Sequence, residues 1–280
     1  MSDHLIFQHI PKNGGTTFNA ILDQIFSNKI IYSLDPINSP RKEFESLSDV
    51  DREKIVLLKG HLRFGIHNCF SGNSEYITFL RKPTERICSY YNYVLSQPNH
   101  RFYNEIIDNN ISFSDFILKF NKQDVHNAQI RFISGIVDRE DLMLEKAIEN
   151  ICNFYPIIGL LERFDESLIL LKYYYNWQIP IYEIKNRSKI SNKQPTKEQI
   201  KAINELNAGD IKLYEYIQDR FENQLKTIVG NKLNDELENI QFANQQSPII
   251  NNHLCLEKFD SINLSLEISP INASLESRSF

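Results

Sequence analysis

The sequence has little of what marks several common classes of protein. It carries only four cysteines, none in a C-x-x-C pair, and no apolar run approaches the roughly 18 residues of a membrane-spanning helix. Its net charge of −5 gives no general attraction to nucleic acid or to an anionic membrane. No group of Cys, His, Asp and Glu has the spacing of metal ligands. We therefore expect a cytoplasmic protein with reduced thiols, no metal, no nucleic-acid partner and no membrane span.

The chain is long enough to bury a sizeable core as one α/β domain, since 41% of its 280 residues are hydrophobic. The first predicted strand, 5–8, leaves no room for a signal peptide ahead of it. Beyond residue 229 the composition shifts towards Asn, Gln and Ser. We predict a domain over residues 1–229 and an Asn- and Ser-rich tail over 230–280 that is disordered or loosely docked.

The most informative segment is H-I-P-K-N-G-G-T-T-F at residues 9–18. It joins the apolar run 5–8 to residues 18–26, whose apolar positions have helical spacing. A glycine turn with a lysine and two threonines at a strand-to-helix junction suits a phosphate-like anion. The glycines let backbone N–H groups approach it, and the helix N-terminus adds a partial positive charge. For the glycine pair alone, a simple turn is an equally good interpretation.

This loop is not a Walker A motif. In that motif the lysine follows the last glycine, whereas Lys12 precedes both Gly14 and Gly15. The difference disfavours a nucleoside triphosphatase, but it does not disfavour a nucleotide ligand.

A second segment, 76–94, predicts a strand followed by a helix. Arg81 follows the β-prone run 76–80, and Pro83 suits the first turn of the helix that carries Ser89. An arginine at the carboxyl end of a strand and a serine on the next helix could hold a second phosphate. Taken alone, a solvated arginine and an ordinary helical serine are the favoured interpretation.

Together, the loop and the F-L-R-x-P-x-E-R-x-x-S-Y-Y pattern at residues 79–91 resemble the 5′- and 3′-phosphate sites of sulfotransferases. The donor of these enzymes is 3′-phosphoadenosine 5′-phosphosulfate (PAPS). The chain is most similar to the carbohydrate branch typified by heparan sulfate 2-O-sulfotransferase and its bacterial relatives, from about residue 4 to about residue 227. The resemblance implies a P-loop-like three-layer α/β fold, with a central parallel β-sheet flanked by helices, and PAPS as co-substrate.

The same resemblance implies roles for individual residues. The donor-binding residues on the first segment are Lys12, Asn13, Gly14, Gly15, Thr16 and Thr17. Arg81 and Ser89 would bind the 3′-phosphate. Arg187, in the basic stretch 185–189, would reach the 3′-phosphate or the adenosine, and a plain basic turn is an equal alternative.

A histidine at the end of a third predicted strand is the candidate base. His61 follows the apolar run 55–58 in a G-H-x-x-F context, where the resembling family has the base that deprotonates the acceptor. A general base needs a pKa near 7, and histidine is the residue type that suits that role, although capping or packing is a good interpretation of such a histidine from sequence alone. Some relatives have a second histidine where this chain has Lys59; His67 is the fallback base. The implied catalytic residues are Lys12 and His61.

The predicted reaction transfers the sulfuryl group from PAPS to a hydroxyl acceptor, a carbohydrate by resemblance, and needs no metal. An N-x-Q-x-R pattern at Asn127, Gln129 and Arg131 could hydrogen-bond a sugar, and helix capping is at least as good an interpretation. The alternatives are a P-loop-like nucleotide kinase and a non-catalytic nucleotide-binding module with the same fold. Farther along, we predict a last strand at 181–184 and a capping box at 196–199.

Overall fold

The computed structural model describes residues 2–34, 41–120, 122–182 and 194–245. Five parallel strands form one sheet in the order β2-β3-β1-β4-β5. Their bounds are β1 His4–Gln8, β2 Ile31–Leu34, β3 Leu57–Gly60, β4 Ser74–Leu80 and β5 Ile158–Leu160. The central strand β1 is buried along its whole length because it has a neighbour on each side and side chains packed on both faces.

The helices lie between and after these strands. In chain order they are α1 Gly15–Ile25, α2 Arg41–Glu45, α3 Asp49–Glu53, α4 Pro83–Ser96, α5 Tyr103–Asp108, α6 Phe113–Lys119, α7 Lys122–Val125, α8 Ala128–Ser134, α9 Glu140–Phe154, α10 Phe164–Tyr175, α11 Lys197–Leu206 and α12 Ala208–Gln224. Residues 233–245 form a further helix, α13. A central parallel sheet flanked by helices confirms the predicted α/β fold.

The buried apolar side chains form two clusters. The larger one joins the sheet to α1, α9, α10 and α12, and the smaller one joins α4, α5 and α6 to α11. The smaller cluster fixes α4 in place, and α4 directly follows the carboxyl end of β4.

The order of the strands determines where a ligand site can form. From β1 the chain crosses to β2 and β3 on one side, and then returns to β4 and β5 on the other side. The carboxyl end of β1 is therefore the topological switch point of the sheet, where open α/β folds leave a crevice. The segments that follow β1, β3 and β4 meet at this edge.

The two predictions for the carboxyl-terminal part of the domain have different outcomes. The capping box is confirmed, because the Thr196 hydroxyl accepts from the backbone N–H of Gln199, whose side chain accepts from the Thr196 N–H. Residues 181–182 are not in a strand, and the rest of that predicted strand lies outside the described residues.

The predicted domain boundary after residue 229 stays a prediction. Beyond it, α13 contacts the domain: Lys172 Nζ lies 2.6 Å from Glu236 Oε2, and Leu237 packs against the main core.

Candidate active site

The loop after β1 is shaped by three residues with unusual backbone geometry or packing. Lys12 has φ +72° and Gly14 has φ +79°, both in the left-handed region, which is uncommon for a lysine. A Cβ on Gly14 would lie 2.4 Å from Leu161 Cδ1, and one on Gly15 would lie 2.0 Å from the His9 ring. The left-handed backbone favours glycine at position 14, the close approach of the His9 ring favours it at position 15, and α1 begins at Gly15 directly behind the loop.

Lys12 is a partly buried cation at this edge of the sheet. Its Nζ lies 3.9 Å from the centre of the Tyr93 ring, a cation–π contact with α4. Burial, and secondly the like charge of Arg81, lower the pKa of Lys12 to about 8. A bound anion would relieve the repulsion between these two cations, so the pair fits an anionic ligand.

Arg81 follows β4 and contacts the loop. Its Nη1 donates to the carbonyl oxygen of Lys12 at 3.3 Å, and burial lowers its pKa. A buried amide links the same two segments, since Gln129 accepts from both the side chain of Asn13 and the backbone N–H of Arg81. The two predicted phosphate sites are thus joined by direct hydrogen bonds.

Two histidines stack at the ends of β1 and β3. The rings of His9 and His61 have centroids 4.3 Å apart, and His61 Nδ1 donates to the carbonyl oxygen of His9 at 2.8 Å. In this tautomer the lone pair of the neutral His61 ring is on Nε2. Burial lowers the pKa of His9 to about 3, with smaller contributions from His61 and Lys12, so that His9 is neutral at physiological pH. His61 itself is exposed.

The other predicted donor residues lie at this edge or outside the described part of the chain. Thr16 is exposed and Thr17 is buried in the first turn of α1, and Ser89 is half-buried on α4. The side chain of Asn13 is turned inward and donates to the carbonyl oxygen of Phe79 at 2.7 Å. Arg187 lies outside the described residues.

The fallback base and the residue in place of a second histidine have other surroundings. His67 Nδ1 lies 2.9 Å from the Tyr76 hydroxyl, and His67 lines a cavity with Asn73 and Ser74, where β4 begins. It therefore lies at the opposite edge of the sheet from His61. The Lys59 ammonium pairs with Asp23 on α1.

The N-x-Q-x-R segment makes structural contacts at the start of α8, and its binding of a sugar stays a prediction. The buried Asp210 carboxylate accepts from the N–H groups of Gln129 and Ile130 at 3.2 and 2.8 Å, which caps α8. Asn127 accepts from the N–H of Asp210, and Arg131 pairs with Glu140.

Three features of the site are not among those predicted from the sequence: the stacking of His9 on His61, the contact of Tyr93 with Lys12, and the link through Gln129. The first had a signal, because each histidine directly follows a predicted strand or its terminal glycine. Parallel pairing of the two strands makes them neighbours. The other two depend on how α4 and α8 pack against the sheet, and no local pattern carries that information.

The fold and the cationic loop define an α/β protein with a candidate anion site at its switch point. A family model described as galactose-3-O-sulfotransferase matches residues 36–263. The chain belongs to that family, which confirms the predicted enzyme class, a sulfotransferase. The heparan sulfate 2-O branch is not confirmed. The matched range includes His61, Arg81 and Ser89, and begins after the loop that carries Lys12.

Among solved structures, the chain is similar to mouse sulfotransferase SULT7A1 complexed with PAP. The two share 14% sequence identity at a TM-score of 0.26, over 84% of this chain and 90% of that chain. A search of curated proteins finds no match.

The described residues contain neither a candidate membrane span nor a candidate metal centre. No helix in ranges 2–34, 41–120, 122–182 and 194–245 is long and apolar enough to cross a membrane. In the same ranges, no three His, Cys, Asp or Glu side chains are grouped so that they could hold a metal ion. The cytoplasmic location stays a prediction.

Proposed function

We propose that this chain transfers a sulfuryl group from PAPS to a hydroxyl group of a carbohydrate. The observation that carries the proposal is the position of Lys12, His61 and Arg81, which follow the ends of three neighbouring strands, β1, β3 and β4. Membership in the galactose-3-O-sulfotransferase family supports both the reaction and the class of acceptor.

The donor fits the charge of this edge. PAPS carries negative charge at both its 5′ and its 3′ end, and Lys12 and Arg81 are two half-buried cations whose pKa values are lowered. In the proposed complex, the 5′-phosphosulfate is held by the loop and the first turn of α1, through Lys12, Gly14, Gly15, Thr16 and Thr17. Arg81 and Ser89 hold the 3′-phosphate, and Arg187 is a further proposed contact. Asn13 acts by positioning the loop.

The chemistry follows from the same residues. His61 Nε2 accepts the proton of the acceptor hydroxyl, whose oxygen forms a bond to sulfur as the bond from sulfur to the bridging phosphate oxygen breaks. Negative charge then develops on the leaving phosphate. Lys12 and the N–H groups of the loop stabilise that charge, as fixed donors at the site where it develops.

Calorimetric binding of the desulfated product, 3′-phosphoadenosine 5′-phosphate (PAP), tests the donor assignment, with AMP and ATP as comparison ligands. We expect micromolar binding of PAP that depends on its 3′-phosphate and is lost in Arg81→Ala. Arg220→Ala is the matched control. Arg220 is also half-buried, and it donates to the carbonyl oxygens of Tyr155 and Pro156, which precede β5 at the opposite edge of the sheet. A preference for ATP would favour a nucleotide kinase, and absence of binding would refute the proposed donor.

Turnover with PAPS tests the acceptor class. Galactosides, glucosides and heparan sulfate fragments are incubated with PAPS, and products are identified by the added mass of one sulfuryl group. Sulfation of galactosides supports the proposal within this family, and sulfation of heparan fragments alone would favour the 2-O branch. Binding of PAP without turnover of any acceptor would favour the non-catalytic module.

A further inference from the structure

We infer that Gln129 is a positioning residue that couples the two ends of the donor site, by holding Arg81 and the loop of Lys12 in one fixed relation. This inference rests on the proposed function, since it concerns how the same site binds a donor with two phosphate groups.

The side-chain amide of Gln129 is shared between two segments. Gln129 is fully buried in the first turn of α8. Its Oε1 accepts from Asn13 Nδ2 at 2.8 Å and from the backbone N–H of Arg81 at 2.9 Å. Its Nε2 donates to the carbonyl oxygen of Arg81 at 2.9 Å. Both backbone groups of Arg81 are therefore bound by a single side chain, which also binds the loop after β1.

The loop is tied to β4 by further bonds around this amide. Asn13 Nδ2 donates to the carbonyl oxygen of Phe79 at 2.7 Å, and Arg81 Nη1 donates to the carbonyl oxygen of Lys12 at 3.3 Å. The Gln129 amide lies in the middle of this network. Without it, the backbone of Arg81 would lose both hydrogen bonds to α8, and the loop would be held to β4 by fewer contacts.

Gln129 is itself held in place. Its backbone N–H donates to the buried carboxylate of Asp210, which also caps the N–H of Ile130. The start of α8 is thus anchored to α12 while the Gln129 side chain reaches the edge of the sheet. A side chain fixed at both its backbone and its amide loses little further entropy on ligand binding, which is the condition for a preorganised site.

The consequence concerns the two phosphate groups of the donor. When Arg81 and the loop are held in register, a ligand that contacts one is already placed for the other, and the second phosphate adds its full contribution to affinity. When the link is broken, each end still binds a phosphate group. The entropy lost in ordering the two ends relative to each other then offsets part of the affinity that the second phosphate adds. The measurable quantity is the ratio of the AMP dissociation constant to that of PAP.

Gln129→Met tests the inference, since methionine has a similar shape but no hydrogen-bonding amide. We expect the ratio of the AMP dissociation constant to the PAP dissociation constant to fall at least tenfold. The substitution removes the three hydrogen bonds through which the Gln129 amide holds Arg81 and the loop together. Asn150→Leu is the matched control. Asn150 is equally buried, and its amide donates to the carbonyl oxygens of Ile133 and Ser134, at the other end of α8. We expect this variant to unfold at lower temperature with an unchanged ratio.

Gln129→Leu is the second variant in case Gln129→Met does not fold. It also removes the amide without adding a charge near the two phosphate groups, so the ratio is again expected to fall. A folded Gln129 variant that keeps the wild-type ratio overturns the inference about Gln129 and leaves the proposed donor untouched. An equally large fall of the ratio in Asn150→Leu has the same meaning. A wild-type protein that binds AMP as tightly as PAP overturns both this inference and the proposed donor.

Discussion

His61 lies against His9, with ring centroids 4.3 Å apart and with His61 Nδ1 bonded to the carbonyl oxygen of His9 at 2.8 Å. The contact follows from the register of the sheet, in which Gln8 pairs with Gly60, so that the residues after each strand are neighbours. It assigns the donor role to Nδ1 and leaves Nε2 as the basic nitrogen of the neutral ring.

Replacing His61 should therefore remove catalysis more than binding. For His61→Ala, we expect kcat to fall 100-fold or more, the usual range for a general base, with PAP affinity changed by about threefold or less. Turnover and calorimetry measure the two quantities. His67→Ala is the control, because His67 lies at the other edge of the sheet and should leave kcat unchanged. A normal pH–rate profile in His61→Ala would mean that another group is the base.

Lys12 should take up a proton when the donor binds at alkaline pH. In the free protein its pKa is lowered to about 8, so that the ammonium is lost as pH rises through that value. A bound anion favours the ammonium and raises the pKa, and binding at about pH 8.5 therefore consumes protons. Calorimetry of PAP binding in buffers with different ionisation enthalpies measures this uptake.

The control for proton uptake is Lys12→Arg, whose guanidinium stays charged at this pH. We expect the variant to take up fewer protons than the wild type. Equal uptake in the two proteins would show that the proton is taken by a group other than Lys12.

The ring of Tyr93 should support the charged form of Lys12. The ammonium lies 3.9 Å from the ring centre, and an aromatic face favours a cation by about 0.5–1 kcal/mol at partly exposed sites. Tyr93→Leu is expected to weaken PAP binding two- to fivefold and to lower the pH at which binding is lost. Tyr93→Phe keeps the aromatic face and should behave like the wild type in the same titrations. If both variants weaken binding equally, the hydroxyl rather than the ring is responsible.

His9 should make the protein less stable in acid. Its folded pKa is lowered to about 3 by burial, whereas the unfolded chain binds a proton on this side chain below about pH 6.5. The unfolded state then holds more protons, so the free energy of unfolding falls as pH decreases from 6.5 towards 3. His9 accounts for on the order of 1–2 kcal/mol of that loss by about pH 5.

His9→Phe removes this titration while keeping an aromatic ring. Urea unfolding at a series of pH values should show the variant gaining stability relative to the wild type as pH falls. Parallel curves for the two proteins would contradict the assignment to His9.

Asp210 should be required for the stability of the fold. Its carboxylate is fully buried, caps two N–H groups of α8 and lies in the field of the buried Arg86. Removal of the carboxylate leaves the two N–H groups and Arg86 without their buried partner. We therefore expect Asp210→Leu to lower the free energy of unfolding by about 3 kcal/mol or more, and Asp210→Asn to lower it by less. Denaturant unfolding measures both. Asp219→Asn, on the exposed side of the same helix, should have little effect.

Much of the fold is readable from neighbouring residues. The glycine loop and helix after the first strand, and the capping box at Thr196, each depend on contacts within a few positions. The strand predicted at 181–184 is not present at residues 181–182, although the apolar pattern there was similar. A strand also needs a partner in the sheet, and local composition does not provide that information.

The sequence by itself determined the order in which the strands and helices follow one another, and the side chains that the loop and the strand ends offer: a lysine, glycines and threonines in the loop, and a histidine and an arginine after two further strands. Only the tertiary structure decided which of them meet. Gln129 and Asn13 are 116 positions apart, and Gln129 and Arg81 are 48 apart. Their contacts exist because parallel pairing brings the strand ends to one edge, and because α8 packs against that edge. Such placement depends on the packing of the whole core, and no segment of the chain specifies it alone.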